Sequence, residues 1–218
     1  MTDLNPIQTV AVWALPVIFA VTLHEAAHGY AARSCGDRTA EMNGRLSLNP
    51  MRHIDPVGTV LVPLISLILG GIIFGWARPV PVDERNLGNP RRDMALVAAA
   101  GPLANLAMAL LWVLVLYVAL SLRGMPWLMV PLQYMGLAGV SINLVLMALN
   151  LLPLPPLDGG RLMAAIMTPK AAISYLSIEP YGIFILLALL MTGVLDNILW
   201  PPVDWLQRLL LNLAGIAG

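Results

Sequence analysis

The sequence predicts an all-α membrane protein: a multi-pass helical bundle of about four to six membrane segments, with short re-entrant or edge β pieces. Three observations carry this. Of 218 residues, 59% are hydrophobic and only 11% are charged, whereas a soluble globular domain carries roughly 25% charged residues. The charged residues bound uncharged runs at 4–23, 56–77, 94–122 and 124–157, with a shorter one at 180–195. A spanning helix needs about 20 predominantly apolar residues, so the runs have the length of membrane spans. The whole chain, 1–218, reads as one integral-membrane domain in a lipid bilayer.

Other classes are disfavoured. The net charge is zero, so nothing suggests a nucleic-acid partner. A single cysteine, Cys35, excludes an intramolecular disulfide framework. The N-terminus has Asp3 in place of a basic region, unlike a cleavable signal peptide.

Residues 6–32 read as the first helix, with Pro6 suited to a helix start. The polar stretch 33–55 follows, where Asn43-Gly44 before Arg45-Leu46-Ser47-Leu48 suggests a short hairpin. Residues 78–93 read as an extended edge piece plus a turn, because their prolines exclude the middle of a ladder. The most uniform span is 94–122; further segments are expected at 130–152, 162–178 and 181–195. The tail from Leu199 is amphipathic, with Trp200 and Trp205 suited to a membrane interface.

Basic residues give the orientation. Arg33, Arg38, Arg45 and Arg52 lie in one loop, and Arg78, Arg85, Arg91 and Arg92 in the next. Both loops are short, so the positive-inside rule puts both in the cytoplasm of a multi-pass protein of the cell membrane. The 56–77 run between them is then re-entrant, or a hairpin kinked at Pro63 or Gly70-Gly71; an ordinary span is the alternative.

The chemistry begins where the first apolar run ends. His24 and His28 stand at i and i+4 on one helix face, about 6 Å apart along the axis. Two imidazoles so placed can take two corners of a tetrahedral zinc site. Glu25 projects about 100° around the helix, near enough to act on a metal-bound water without being a ligand. An ionised carboxylate in a membrane helix costs at least about 2.5–3.5 kcal/mol, so it needs a partner or a function.

A catalytic zinc site takes a third protein ligand and leaves a fourth position open. The only other histidine, His53, lies in a polar loop, whereas Asp158 ends the longest uncharged run in the chain. Pro153, Pro155 and Pro156 forbid a continuous helix before it, so an extended crossing is expected there. Gly159-Gly160 then allow close backbone approach, and a helix N-terminus would favour the Asp158 anion. The plainer reading makes Asp158 a helix cap.

Three motifs stand in order along the chain: His24-Glu25-Ala26-Ala27-His28, Gly101-Pro102-Leu103-Ala104-Asn105, and the stretch from Asn150 through Asp158 to Gly159. Together with residues 43–59 they resemble the site-2 protease family of intramembrane zinc metalloproteases. The resemblance covers nearly the whole chain and leaves no room for the PDZ or CBS domain that such proteases commonly add. It implies one Zn2+ per chain held by His24, His28 and Asp158, with Glu25 as general base. It also implies that Asn150 and Asn105 hold the substrate backbone near the metal. On residue chemistry alone, Asn105 also fits helix packing at Gly101, and Asn150 fits satisfying backbone groups freed by the prolines.

The expected activity is therefore intramembrane endoproteolysis: cutting the transmembrane segments of single-pass membrane proteins, in regulated intramembrane proteolysis, with the site towards the cytoplasm. Extended pieces at 43–48 or 78–82 could pair with an unfolded substrate segment. The alternative is a membrane metal-binding or metal-transport protein with the same ligands, which would have no need of Glu25 as a base.

Overall fold

The computed structural model describes residues 4–53, 55, 78–122 and 124–216. The expectations for 56–77 fall outside the described residues. Helix α1 runs Pro6–Ser34 and is capped by Asn5, whose side chain accepts from the Gln8 amide while Gln8 bonds back to the Asn5 amide. Helix α2 is Pro90–Ser121, α3 Pro126–Asn150, α4 Asp158–Ile166, α5 Pro169–Leu176, α6 Gly182–Met191 and α7 Val194–Leu213. A proline occupies the first helical position of α1, α2, α3 and α5, where its missing N–H costs no hydrogen bond.

Among the described residues, four helical stretches are long and apolar enough to cross a membrane: Ile7–Ser34, Pro90–Ser121, Pro126–Asn150 and Pro169–Met191. The protein is an all-α, multi-pass membrane protein. Helices α1, α2 and α3 pack against one another as the central bundle. The α2–α3 contact is close at Gly139, where a Cβ would run into the Trp112 indole. Around it Ala109, Val140 and Leu144 are wholly buried, and α7 closes the cluster with Leu199, Val203 and Leu210. The opposite face of α7 exposes Trp200 and Trp205, as an interfacial helix would.

Three local expectations differ from what is seen. No strand occurs among the described residues, so the short β pieces are not shown. Residues 43–44 form a turn and 78–83 an irregular segment beside it. A side chain joins these two stretches: the Arg45 guanidinium donates to the carbonyls of Arg78 and Pro79 at 2.8 and 3.3 Å. The second difference is the approach to Asp158. Residues 151–157 coil into successive turns, with Leu154 N–H donating to Leu152 O at 2.7 Å and Leu157 N–H to Leu154 O at 2.9 Å. The prolines forbid helix but suit turns as well as strand, and nearby glycines make the folded-back path possible. A Cβ on Gly159 would overlap the Leu151 carbonyl, and one on Gly182 would overlap the Pro155 carbonyl. The helix expected over 162–178 is likewise divided, ending at Ile166 and restarting at Pro169.

The two basic loops touch. Arg78 N–H donates to His53 O at 3.0 Å, Gly88 N–H to Cys35 O at 3.1 Å, and Asp83 N–H to the Asp37 carboxylate at 2.8 Å. They therefore share one end of the bundle.

Candidate metal centre

His24 and His28 lie on the inward face of α1, and Asp158 is the first residue of α4. Their ligand atoms form a near-equilateral triangle. The two Nε2 atoms are 3.0 Å apart, and each lies 3.3 Å from Asp158 Oδ2. Metal–ligand bonds of about 2.0–2.1 Å in tetrahedral geometry require edges of roughly 3.3–3.4 Å. The triangle has the size of one face of such a site.

Hydrogen bonding fixes what those atoms present. His28 Nδ1 is 2.7 Å from the Val97 carbonyl, which can only accept, so that nitrogen carries the proton. His24 Nδ1 is 2.6 Å from Asn105 Oδ1 and donates to it. Both Nε2 atoms are thereby left as lone pairs. Asp158 Oδ2 is buried and has no hydrogen-bond partner. Three acceptors facing one another at this range repel unless a cation lies between them, and an orphaned buried carboxylate oxygen is costly. Two imidazole nitrogens and one carboxylate oxygen are a donor set that zinc accepts.

The helices reach this geometry because Gly101 on α2 has no side chain. A Cβ there would stand 2.5 Å from His24 Cε1 and from His28 Nε2. One turn further on, Asn105 is fully buried, and its amide nitrogen donates to Asn143 Oδ1 at 3.0 Å.

A cavity of about 330 Å³ opens on the triangle, lined by His24, His28, Asp158, Glu25, Asn150 and the Pro79–Val82 segment. Glu25 accepts a hydrogen bond through Oε2 from the Val80 amide, at 2.9 Å. Asn150 donates to Leu146 O at 2.9 Å and stays half-buried at the cavity wall. The segment 78–83 is fastened at its far end by Asp37, which also accepts from Thr39 and Asn86. Burial pushes the Asp37 carboxyl up, but these hydrogen bonds together outweigh it and hold the group below its ordinary value of 3.8.

Of the residues singled out from sequence, His24, His28 and Asp158 come together, and Glu25 and Asn150 line the same cavity. Asn105 does not line it; the side chain is turned to His24. His53 lies elsewhere, donating to Ser47 O at 2.7 Å. Sequence reasoning did not pick out Asn143 or the Val97 carbonyl; it did single out 78–82 as a piece that could pair with substrate, and Pro79–Val82 forms a wall of the cavity. Asn143 carried a signal, being an amide inside the uncharged run 124–157.

Comparison with known proteins agrees with this chemistry. The sequence matches peptidase family M50 over residues 12–130 and 127–193. It is 38% identical over 201 residues to "Putative zinc metalloprotease YwhC" of Bacillus subtilis, covering 91% of this chain and 89% of that one. It is 28% identical over 209 residues to "Putative zinc metalloprotease Rip2" of Mycolicibacterium smegmatis, covering 93% and 76%. The Mycobacterium tuberculosis protein of the same name is 29% identical over 204 residues, covering 92% and 73%. No solved structure gives a significant match. A chain that matches M50 over most of its length, and whose helical membrane bundle brings His24, His28 and Asp158 together as a group able to hold a metal ion, belongs to peptidase family M50, the site-2 protease family, and is a membrane zinc metalloprotease.

Proposed function

We propose that this protein, acting as one domain over 1–218, cuts peptide bonds within the membrane-spanning segments of single-pass membrane proteins, as in regulated intramembrane proteolysis. The observation that carries this is the position of the cavity. It opens on the His24–His28–Asp158 triangle between helices that are themselves apolar enough to span a membrane. His24 lies about 27 Å along α1 from Pro6, at 1.5 Å per residue, so the triangle sits near the end of the span that leads into the basic loops. Those loops favour the cytoplasmic side of the cell membrane.

In this reading His24, His28 and Asp158 hold one Zn2+. When bound, the metal supplies Lewis acidity, bringing the pKa of water towards 7 and polarising the scissile carbonyl. Glu25 takes the proton of the attacking water and passes it to the leaving nitrogen. Its Oε2 is held by the Val80 amide, and Oε1 remains to receive the proton. Asn150, at the cavity wall, presents an amide to the main chain of a substrate segment, which must be unwound for its peptide bonds to be reached.

The test is reconstitution in liposomes with a labelled transmembrane peptide and free zinc outside. Cleavage by the wild type and none by Glu25→Gln supports the reading. Zinc moving into the liposomes without cleavage overturns it in favour of a transporter.

A further inference from the structure

We propose that Asn143, acting through Asn105, fixes the tautomer of His24 and thereby sets how tightly the site holds zinc. The inference rests on His24 being a zinc ligand. Asn143 and Asn105 are positioning residues; neither lines the cavity.

The two histidines are oriented by different means. His28 Nδ1 faces the Val97 carbonyl, a main-chain group that can only accept. His24 Nδ1 faces a side-chain amide, which presents either an acceptor oxygen or a donor nitrogen depending on a 180° rotation. If the Asn105 amide were turned the other way, its NH2 would demand a lone pair on His24 Nδ1. The His24 proton would then move to Nε2, where the metal must bind.

The direction is set one helix away. On α3, Asn143 donates from Nδ2 to the Gly139 carbonyl at 2.8 Å, which obliges its Oδ1 to face Asn105. Asn105 therefore turns its NH2 towards Asn143 Oδ1, at 3.0 Å, and that group also donates to Ala20 O at 3.3 Å. Only the Asn105 oxygen is left for His24. The chain of bonds runs Gly139, Asn143, Asn105, His24, and its sense is set by the acceptor-only carbonyl at its start, with Ala20 O supporting it through the longer 3.3 Å bond. Both asparagines are 0% exposed, so bulk water does not supply a substitute partner. Fixing the non-ligating nitrogen of a metal-binding histidine typically governs metal affinity by 10–100-fold.

The test uses full-length protein in detergent, with zinc affinity measured by chelator competition and the three histidines read by nitrogen-15 NMR after metal removal at pH 8. Asn143→Leu keeps nearly the volume but removes the amide, and it should weaken zinc binding by about 10–100-fold. Asn143→Asp, neutral in this environment, can still donate to Gly139 and accept from Asn105, and it should restore most of the affinity. In an Asn105→Asp background, where a carboxylate kept ionised by its contact with His24 offers only acceptor oxygens, N143L should have little further effect. The wild type should show His24 protonated at Nδ1, with N143L populating the Nε2–H form at His24 and leaving His28 unchanged.

Wild-type affinity in N143L overturns the proposal, as does weakened binding with an unchanged His24 tautomer. A wild-type His24 protonated at Nε2 overturns it even if no variant folds. His28→Ala serves as the reference: if it left zinc binding intact, the metal site itself would be misassigned, a failure distinct from that of the relay.

Discussion

The Glu25 carboxylate and the Val80 amide are joined by a hydrogen bond of 2.9 Å. Between Pro79 and Pro81, neither of which has an N–H, the Val80 amide is the one donor that stretch of cavity wall offers. The wall therefore orients the proposed base, and the base in turn anchors the wall.

Glu25→Gln is the most direct probe of that pair. The glutamine carbonyl can still accept from Val80, so the wall and the zinc should remain, but the side chain no longer takes a proton. Cleavage should fall on the order of 10²–10⁴-fold with substrate binding little changed. Zinc content, thermal stability and turnover of a transmembrane peptide, measured on one preparation, check this. Near wild-type turnover would remove Glu25 from the mechanism.

Zinc stoichiometry should be about one per chain. His24→Ala, His28→Ala and Asp158→Ala should each reduce it, whereas His53→Ala should not, because His53 is committed to Ser47 in the loop. Metal analysis after gel filtration reads this directly. Full zinc in Asp158→Ala would rule that carboxylate out as a ligand.

Gly101→Ala should damage the site without touching a polar atom. In an ordinary helix the change favours folding by roughly 0.5–1 kcal/mol. Here the new methyl meets both imidazole rings, which are anchored at Nδ1 and have no free direction to retreat. Overpacking of this kind costs about 1–3 kcal/mol, and the zinc-loaded form should bear it. Lower zinc affinity together with a lower melting temperature is expected; an alanine variant that binds zinc as well as the wild type would contradict the close approach.

Asp37 tests the fastening of the cavity wall. Its folded-state pKa is depressed, so its contribution to stability is complete above the ordinary value of 3.8 and is lost as pH falls through the lower folded value. Asp37→Asn should melt earlier at neutral pH, by about 1–3 kcal/mol for loss of buried charged hydrogen bonds. The gap between variant and wild type should close only below the ordinary carboxylate range. A gap unchanged down to the acid limit would mean the carboxylate charge is not what matters.

Because the two basic loops are hydrogen-bonded to each other, they must share a side of the membrane. In a Cys35→Ala background, cysteines introduced at the exposed positions Glu41 and Arg85 should both resist a membrane-impermeant reagent applied outside the cell and both react in inverted vesicles. Labelling of one and not the other would break the pairing.

Much of the site was legible because its key spacings are local. His24 and His28 read as one helix face from their separation alone, and Asp158 stood out as a charge ending a long uncharged run. The interhelical contacts were not legible in the same way. The stretch around Gly101 is rich in small residues, and several registers of α2 against α1 look alike until the fold selects the one that seats the imidazoles. The same ambiguity hid Asn143, whose meaning depends on a partner 38 positions away. At 151–157 the prolines showed where helix must stop, but turn and extended chain satisfy them equally. The contacts of Gly159 and Gly182 made the choice.

The proposed zinc triangle takes two corners from the first span and the third from a helix that begins only at Asp158. A growing chain thus carries its histidines and Glu25 through the whole insertion of α2 and α3 before the last ligand exists. With Asp158 as the proposed third ligand, the nascent protein has an incomplete metal site until α4 docks. On the proposed ligand set the order of the elements delays activity until α2 and α3 are in place, and a chain cut short before Asp158 is expected to be inert.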